Sequence, residues 1–532
     1  MDTLYYNGKI ITMEEGDAPE AVLVRDGMIA FAGRLDDTRK AAGEELETVD
    51  LNGQCLMPSF IDTHSHIFMN GQMAMCAGLG DCRSYDDIIS TLRRFIKEKQ
   101  IGADGIVMGF GYDHNFLAEG GQPDKRVLDQ VSTEIPIMIL HVSAHLACVN
   151  RKALELAGIT EATPDPQGGA IGRLEGSMEP SGYLEEAGMT LVKKSIAGRL
   201  KVNVHEILSS MQDIYIENGV TTAQDGATTE SDLEALKMAS SQGLLKMDVV
   251  SYPLLSSNGQ ELLHKNKDLY GTYRSHLKIG GYKIVLDGSP QGRSAWLSEP
   301  YRNGAPDDCG YPWMTDGQVE TFVKLAVKER IQLLAHCNGD AASEQYLRAY
   351  DLALKETGGT EDLRPVMIHC QTVRSDQLAR MAELGMIASF FVGHVFYWGD
   401  VHVKNLGVER GNHVSPVRDA IDLGVKVNFH QDTPVTPPDM LHSVWCAVNR
   451  ISRNGAVIGA DERISVYEAL KAVTIDAAFE YFEEEDKGSI KAGKRADLVI
   501  LDQSPLETAP SEIHKIKVMA TIKDGEVIYR RK

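Results

Sequence analysis

Short apolar runs that end in polar side chains recur along this chain: "CLMPSFIDTHSH", "IPIMILHV", "GVTTAQDG", "GYKIVLDGS", "IQLLAHCNGD", "RPVMIHCQT", "GMIASFFVGH" and "GVKVNFHQD". Their length and β-branched content mark them as strands. Stretches with helical periodicity, such as "DQLARMAELG" and "VYEALKAVTIDAAFEYFEEE", lie between them. Strands separated by helices pair in parallel, because the crossover returns the chain to the same end of the sheet. Eight such strands predict an α/β fold, a closed (β/α)8 TIM barrel. The alternative is an open doubly wound sheet. Against it, no GxGxxG opens a helix after the first strand, and "GFGYDHN" offers a lone Gly-x-Gly. Polar residues gather at the C-terminal ends of the strands, where barrels build their sites.

The two ends of the chain read differently. "LYYNGKIITM" and "AVLVRDGMIAFAG", and later "GSIKAGKRADLVILD" and "IKVMATIKDGEVIYRRK", are β-rich runs broken at Asn-Gly and Asp-Gly turns. Residues from about 67 to 205 exceed one crossover and include the turn-rich "PDPQGGAIGRLEGSMEPSG". They are expected to form insertions over the barrel mouth that contribute to the substrate pocket.

Chemistry concentrates where strands end. In "FIDTHSHIFMN", residues 60–70, alternation predicts that Asp62, His64 and His66 share a face. Burying three such groups without partners costs several kcal/mol. A hydrogen-bonded histidine pair or a metal ion would remove that cost. His336 and His369 close two further strands, about one βα repeat apart, with Cys337 and Cys370 alternating toward the packed side. In "VKVNFHQDTPV", Val425, Val427 and Phe429 should face helices, leaving Lys426, Asn428, His430 and Asp432 on the other face. A cap on the following turn is the simpler use of Asp432. Lys283 shares a face with Val285 and Asp287. A buried lysine needs a partner or loses its charge. The options are an ion pair with Asp287, or a neutral amine that takes up CO2 as a carbamate able to bridge two cations.

This set resembles the amidohydrolase superfamily: His-x-His on the first strand, Lys on the fourth, His on the fifth and sixth, Asp on the eighth. "NGKIITM" and "KGSIKAGKRADLVILD" resemble its β-sandwich built from both termini. The implied division is 1–57 and 487–532 as the two parts of the sandwich, with 58–486 as the barrel. "YKIVLDGSPQGRSA", "FYWGD", "GVERGNHVSPVRDAIDLGVKV" and "ERISVYEALKAVTIDAA" resemble the YtcJ-like branch, which includes N-substituted formamide deformylases. The resemblance implies zinc, as one or two divalent cations. His64 and His66 would hold one and His336 and His369 the other, with carboxylated Lys283 bridging. Asp432 would be both ligand and proton carrier, and His145 is the candidate donor to an oxyanion or a substrate contact.

The implied reaction is hydrolysis of a linear N-formyl or N-acyl amide, a carbon–nitrogen bond other than a peptide bond. A cyclic amide, a deamination, or a catalytically silent binding protein on the same scaffold are the alternatives. Two departures from the branch stand out. Gln-Pro usually ends its seventh strand and Ser-Asp its eighth, whereas "FFVGHVFYWGD" and "FHQDTPV" bring His394 and His430 toward the same mouth. These are expected as further ligands, an acid or substrate contacts. Arg293 offers a guanidinium to a substrate carboxylate, Trp398 and Asp400 are expected in the pocket wall, and Asp62 is expected to support an imidazole.

Charge narrows the partners. Lys plus Arg number 54 against 76 Asp plus Glu, a net −22 that repels phosphate backbones and anionic membranes. A small-molecule amide is therefore the expected partner, with neither nucleic acid nor membrane. The start of the chain lacks a signal-peptide pattern, and no run reaches membrane-spanning length. Eight cysteines without a CxxC read as reduced thiols of a cytoplasmic protein. A homodimer is the commonest assembly for such chains.

Overall fold

The computed structural model describes residues 2–16, 18–73, 75–199, 207–208, 210–359 and 362–532. Two all-parallel sheets form its body. One joins β1 (Phe60–Asp62), β2 (Val220–Thr228), β3 (Asp248–Pro253) and the short segment Leu277–Ile279. The other joins β4 (Tyr282–Val285), β5 (Leu333–Cys337), β6 (Val366–His369), β7 (Ile387–Phe390) and β8 (Lys426–Phe429).

Both margins of the two sheets meet. Gly280 and Gly281 alone separate Leu277–Ile279 from β4, and Leu254 bridges Lys283 in parallel. A Cβ on Gly281 would stand 2.3 Å from the Gln332 carbonyl oxygen, so glycine is needed for this close approach. At the other margin, Asp432 N donates to His64 O at 3.1 Å and His66 N to Thr433 O at 2.8 Å. Thr63 Oγ1 donates to Asn428 Oδ1 at 2.9 Å.

Alternation sorts each strand's faces. Tyr282, Ile284, Val425, Val427, Phe429, Cys337 and Cys370 join the large apolar cluster with Val319, Val323 and Tyr346 of the helices Asp316–Glu329 and Asp340–Thr357. The first of these helices starts at a capping box, Thr315 with Gln318, which satisfies its leading N–H groups. Ile61, Val250, Tyr252, Leu334, Ile368 and Tyr481 form a separate apolar cluster.

One expected strand belongs elsewhere. Ile137–His141 lies in a six-stranded sheet with Ala77–Gly78, Val107–Tyr112, Leu146–Val149, Gly169–Arg173 and Pro180–Glu186, and pairs antiparallel with Leu146–Val149. Its place in the body is taken by β3, which the apolar pattern did not single out. Periodicity reports burial, not the pairing partner. This sheet fills much of the expected insertion, whose far end near His205 lies outside the described residues.

The chain ends build two further sheets. Asp2–Tyr6, Ala21–Arg25, Met28–Gly33 and Leu46–Asp50 form one; Lys9–Ile10, Cys55–Pro58, Leu498–Leu501, Val518–Lys523 and Glu526–Arg530 form the other. They share an apolar cluster that includes Tyr5, Val22, Leu56, Leu498 and Ile522. Lys523 of the second sheet pairs with buried Asp248 of β3 at 2.9 Å, which ties that sheet to the body. Among the described residues, no helix is long and apolar enough to cross a membrane.

Candidate metal centre

His64 and His66 lie just past β1, in the turn before the helix Ile67–Met73, and Asp432 lies past β8. Each imidazole Nε2 stands 3.4 Å from Asp432 Oδ1. Asp432 and His369 hold left-handed backbones, φ 55° and 75°, which non-glycine residues adopt at a cost. Three buried polar atoms here have no hydrogen-bond partner: His64 Nε2, Asp432 Oδ1 and Lys283 Nζ. Such atoms cost free energy unless something fills the space between them.

Tautomers decide what fits. Gln224 Nε2 donates to Thr63 O at 2.7 Å, which turns its Oε1 to His64 Nδ1, also at 2.7 Å. His64 therefore carries its proton on Nδ1 and presents the Nε2 lone pair to Asp432. A second chain links His336 Nδ1 to His369 Nε2 at 3.0 Å, His369 Nδ1 to His430 Nε2 at 3.1 Å, and His430 Nδ1 to Ser389 Oγ at 3.0 Å. With protons running from His430 toward His336, the three rings satisfy one another. With protons running toward Ser389, and His336 Nε2–H on Gly288 O at 3.2 Å, the lone pairs of His336 and His369 converge on one point. Tetrahedral donors about 2.0–2.1 Å from a cation lie about 3.3 Å apart, close to these separations. The donor set fits a divalent cation.

Burial keeps His64, His336 and His369 well below the usual imidazole range, hence neutral and able to ligate. Burial pulls the Lys283 ammonium down to about 7. Asp287 does not pair with it: its oxygens accept N–H groups of Trp296, Asn338 and Gly339 at 3.0, 2.9 and 2.7 Å. Burial would raise the Asp432 carboxyl, but His66 and the other nearby imidazoles hold it well below the usual carboxylate range.

A cavity of about 450 Å³ opens on this centre. His64, His66, Lys283, His336, Asp432, His145 and Glu186 supply its polar side, and Met69, Leu140, Met189, Leu254, Trp313 and Val435 its apolar side. Both carboxylate oxygens of Glu186 lie 3.0 Å from His145 Nδ1. Burial lowers the His145 pKa, but the Glu186 charge outweighs it and the net shift is upward.

The structure thus brings together His64, His66, Lys283, His336, His369, His430, Asp432 and His145. Others fall elsewhere. His394 opens the helix His394–Leu406, bonds to His402 at 3.1 Å, and is set apart from His430 by the Phe391 ring. Trp398 is buried and donates to Asp113 at 2.9 Å. Asp400 accepts from Asn454 at 3.1 Å, and exposed Arg293 donates to Asn303 O at 3.2 Å. None of these four lines the cavity. Asp62 does not support an imidazole: β1 ends at Asp62, breaking the alternation, and its contact with His64 is to the backbone N–H at 3.4 Å.

Gln224, Glu186 and Ser389 were not singled out in the sequence. The one available sign was a polar amide near the end of the predicted strand "GVTTAQDG". Gln224→Leu is expected to weaken metal binding by roughly 10–100-fold with the fold retained, as loss of a ligand's outer partner does. Competition with a chelating dye checks this; unchanged affinity removes Gln224 from the site.

A sequence profile of the amidohydrolase family matches residues 47–529. The chain belongs to this family. Family membership makes it a hydrolase of carbon–nitrogen bonds other than peptide bonds. Within the family it falls in the branch of two relatives. One, a Bacillus subtilis protein that bears the name amidohydrolase YtcJ, is 27% identical, with all of both chains covered. The other, the N-substituted formamide deformylase of Arthrobacter pascens, is 28% identical over all of this chain and 98% of its own. Among solved structures, an uncharacterized metal-dependent hydrolase from Pyrococcus horikoshii is similar with a TM-score of 0.76 and 25% identity, covering 96% of this chain and 99% of that one. A counterpart from Pyrococcus furiosus gives 0.73 and 26%, covering 95% and 100%.

Proposed function

We propose that this amidohydrolase uses zinc, as one or two cations per chain, to hydrolyse a linear N-formyl or N-acyl amide, with carboxylated Lys283 between the cations. The observation that carries this reading is the set of unpartnered atoms on His64, Asp432 and Lys283 around one cavity. Its deformylase relative supports the amide class. The same reading takes the two parallel sheets as a closed (β/α)8 barrel over residues 58–486, flanked by a β-sandwich from 1–57 and 487–532.

His64, His66 and Asp432 would hold one cation, and His336 and His369 the other. Bound there, the metal supplies Lewis acidity toward the amide carbonyl and brings ionisation of water toward neutral pH. The chain's residues do the rest. Neutral Lys283 adds CO2 to its amine, losing one proton, to give the carbamate anion. Asp432 accepts the proton of the attacking water and passes it to the leaving nitrogen, so acid and free amine separate. His145, its Nδ1 held by Glu186, offers its other N–H to the oxygen as the carbonyl carbon becomes tetrahedral. The apolar wall from Met69 to Val435 receives the nitrogen substituent.

The test pairs metal content per chain with turnover of N-substituted formamides and N-acyl amines. One to two zinc per chain and turnover lost on chelation are expected; a metal-free chain that takes up none on reconstitution would falsify the reading. A pH profile adds a second check. If charged His145 is the working form, activity falls as pH rises through its raised pKa, on the alkaline side of the ordinary imidazole value of 6.5. Glu186→Gln moves that alkaline limb to lower pH. A limb that stays put removes His145 from this role.

A further inference from the structure

The helix Ala187–Ile196 follows directly on the strand Pro180–Glu186, whose last residue holds His145. Periodicity divides its residues. Met189, Val192 and Ile196 fall on one face and join an apolar cluster of the inserted sheet. Thr190 and Lys193, three residues apart, fall on the adjoining face, and both line the cavity over the metal centre. Side chains on a helix lean toward its N-terminus. The Lys193 stem therefore reaches back toward Glu186, the carboxylate whose charge acts on it.

This lysine has no partner in the fold. Its side chain is exposed to water, and among the described residues its ammonium makes neither an ion pair nor a hydrogen bond. Glu186 is already engaged, with both carboxylate oxygens 3.0 Å from His145 Nδ1. Asp432 faces His64 and His66, and the Lys283 ammonium is buried and pulled down to about 7. Protein packed around Lys193 lowers its pKa from the ordinary 10.5, against the pull of Glu186. An anion placed beside it would reverse that shift. Among the described residues that line the cavity, Lys193 is thus the cation left open to a ligand.

The chain's net charge of −22 repels anions at long range. A carboxylate that enters this cavity needs a local cation, which a lysine in the wall supplies as a charge-assisted hydrogen bond. We propose that Lys193 determines specificity by receiving a carboxylate on the substrate's nitrogen substituent, so that the amide hydrolysed is an N-formyl or N-acyl amino acid. This rests on the amide hydrolysis proposed above. A formyl group has no place for a second charge, which puts the carboxylate on the nitrogen side. The cavity of about 450 Å³ has room for such a molecule. Its apolar wall takes the amino-acid side chain while Lys193 takes the carboxylate.

Two substrates that differ in the carboxylate alone test this: N-formylleucine, and N-formyl-3-methylbutylamine with hydrogen in its place. Their kcat/KM values are measured on zinc-reconstituted wild type, Lys193→Met and Lys193→Arg, at low and high salt. Lys193 is exposed, so both variants should fold. Wild type is expected to favour N-formylleucine by about 10–100-fold, the range of one hydrogen bond to a charged group, chiefly through KM. Methionine keeps the stem without the charge, so the preference should collapse; arginine should restore most of it, and salt should weaken it. A preference that Lys193→Met leaves unchanged, or a wild type that favours the neutral amide, overturns the proposal and leaves the amide reading standing. Turnover of neither substrate counts against the amide reading instead. Calorimetric titration of N-formylleucine into the same three proteins then decides the role of Lys193. Binding lost in Lys193→Met and kept in Lys193→Arg supports it; equal binding, or none in wild type, overturns it.

Discussion

Asp432→Asn is expected to lower kcat by roughly 10²–10⁴-fold, the range of a lost general base, while the chain stays folded and keeps most of its metal. Asparagine retains an oxygen where Oδ1 stands 3.4 Å from both His64 and His66, so it can still ligate weakly. It cannot take a proton from water. The backbone should hold, because Asp432 N bonds to His64 O whatever the side chain. Asparagine also tolerates the left-handed φ of 55° here as well as aspartate does. Steady-state kinetics and metal content measured on one preparation separate the two roles. Activity within tenfold of wild type would exclude Asp432 as the base; lost metal would instead make it mainly a ligand.

Lys283→Met should produce two effects of opposite sign. Methionine matches the buried stem and removes an amine that has no hydrogen-bond partner. The metal-free protein should therefore gain about 1–3 kcal/mol, the cost of one such unsatisfied group. Burial lowers the folded amine to about 7 against an ordinary 10.5. The cost of burying its charge is thus full below about 7 and fades as pH rises toward 10.5; the gain in the variant follows the same window. The metal-loaded enzyme should lose instead. If Lys283 carries the proposed carbamate, its loss lowers metal content and drops kcat/KM by at least about 100-fold, the upper end of what outer-sphere changes cost. Thermal midpoints of the metal-free proteins, read against kcat/KM of the loaded ones, test both halves. A variant less stable than wild type without metal, yet equally active with it, would mean that Lys283 serves only as a counter-ion to Asp432.

How much of this could be read from the sequence depended on whether a residue's meaning was local. His64, His66, His336, His369 and Asp432 each stand at or just past a strand end, and the apolar run before each one signals that position, whereas Lys283 sits inside β4 and is marked only by its charge in an apolar strand. The packed faces of Val425, Val427 and Phe429 and of Cys337 and Cys370 followed from alternation and are observed. β3 was passed over because "DVVSYP" ends in no metal-type or charged side chain. Ile137–His141 took its place because a buried strand of an inserted sheet has the same apolar look as a buried parallel strand. Gln224 and Glu186 act on partners 160 and 41 residues away, a relation that no window on the sequence contains. His394 was misplaced for a related reason. The strand before it stops at Phe390, and a helix begins where the extended run was expected to continue.

The inserted six-stranded sheet carries its own apolar clusters, Ile106, Met138, Leu140 and Val149 on one side and Leu79, Ile88, Val107 and Ile139 on the other. With its turns it contributes Leu140, His145 and Glu186 to the cavity, but none of the residues proposed to hold the main cations. The proposed metal ligands thus lie in the body, while part of the cavity wall, with His145 and Glu186, comes from a separately packed part of the chain. Drift in the inserted sheet can reshape which substrate is admitted while Lys283, His336 and His369 on β4, β5 and β6 keep their spacing. A graft of residues 77–186 from a relative would be expected to carry substrate preference with it.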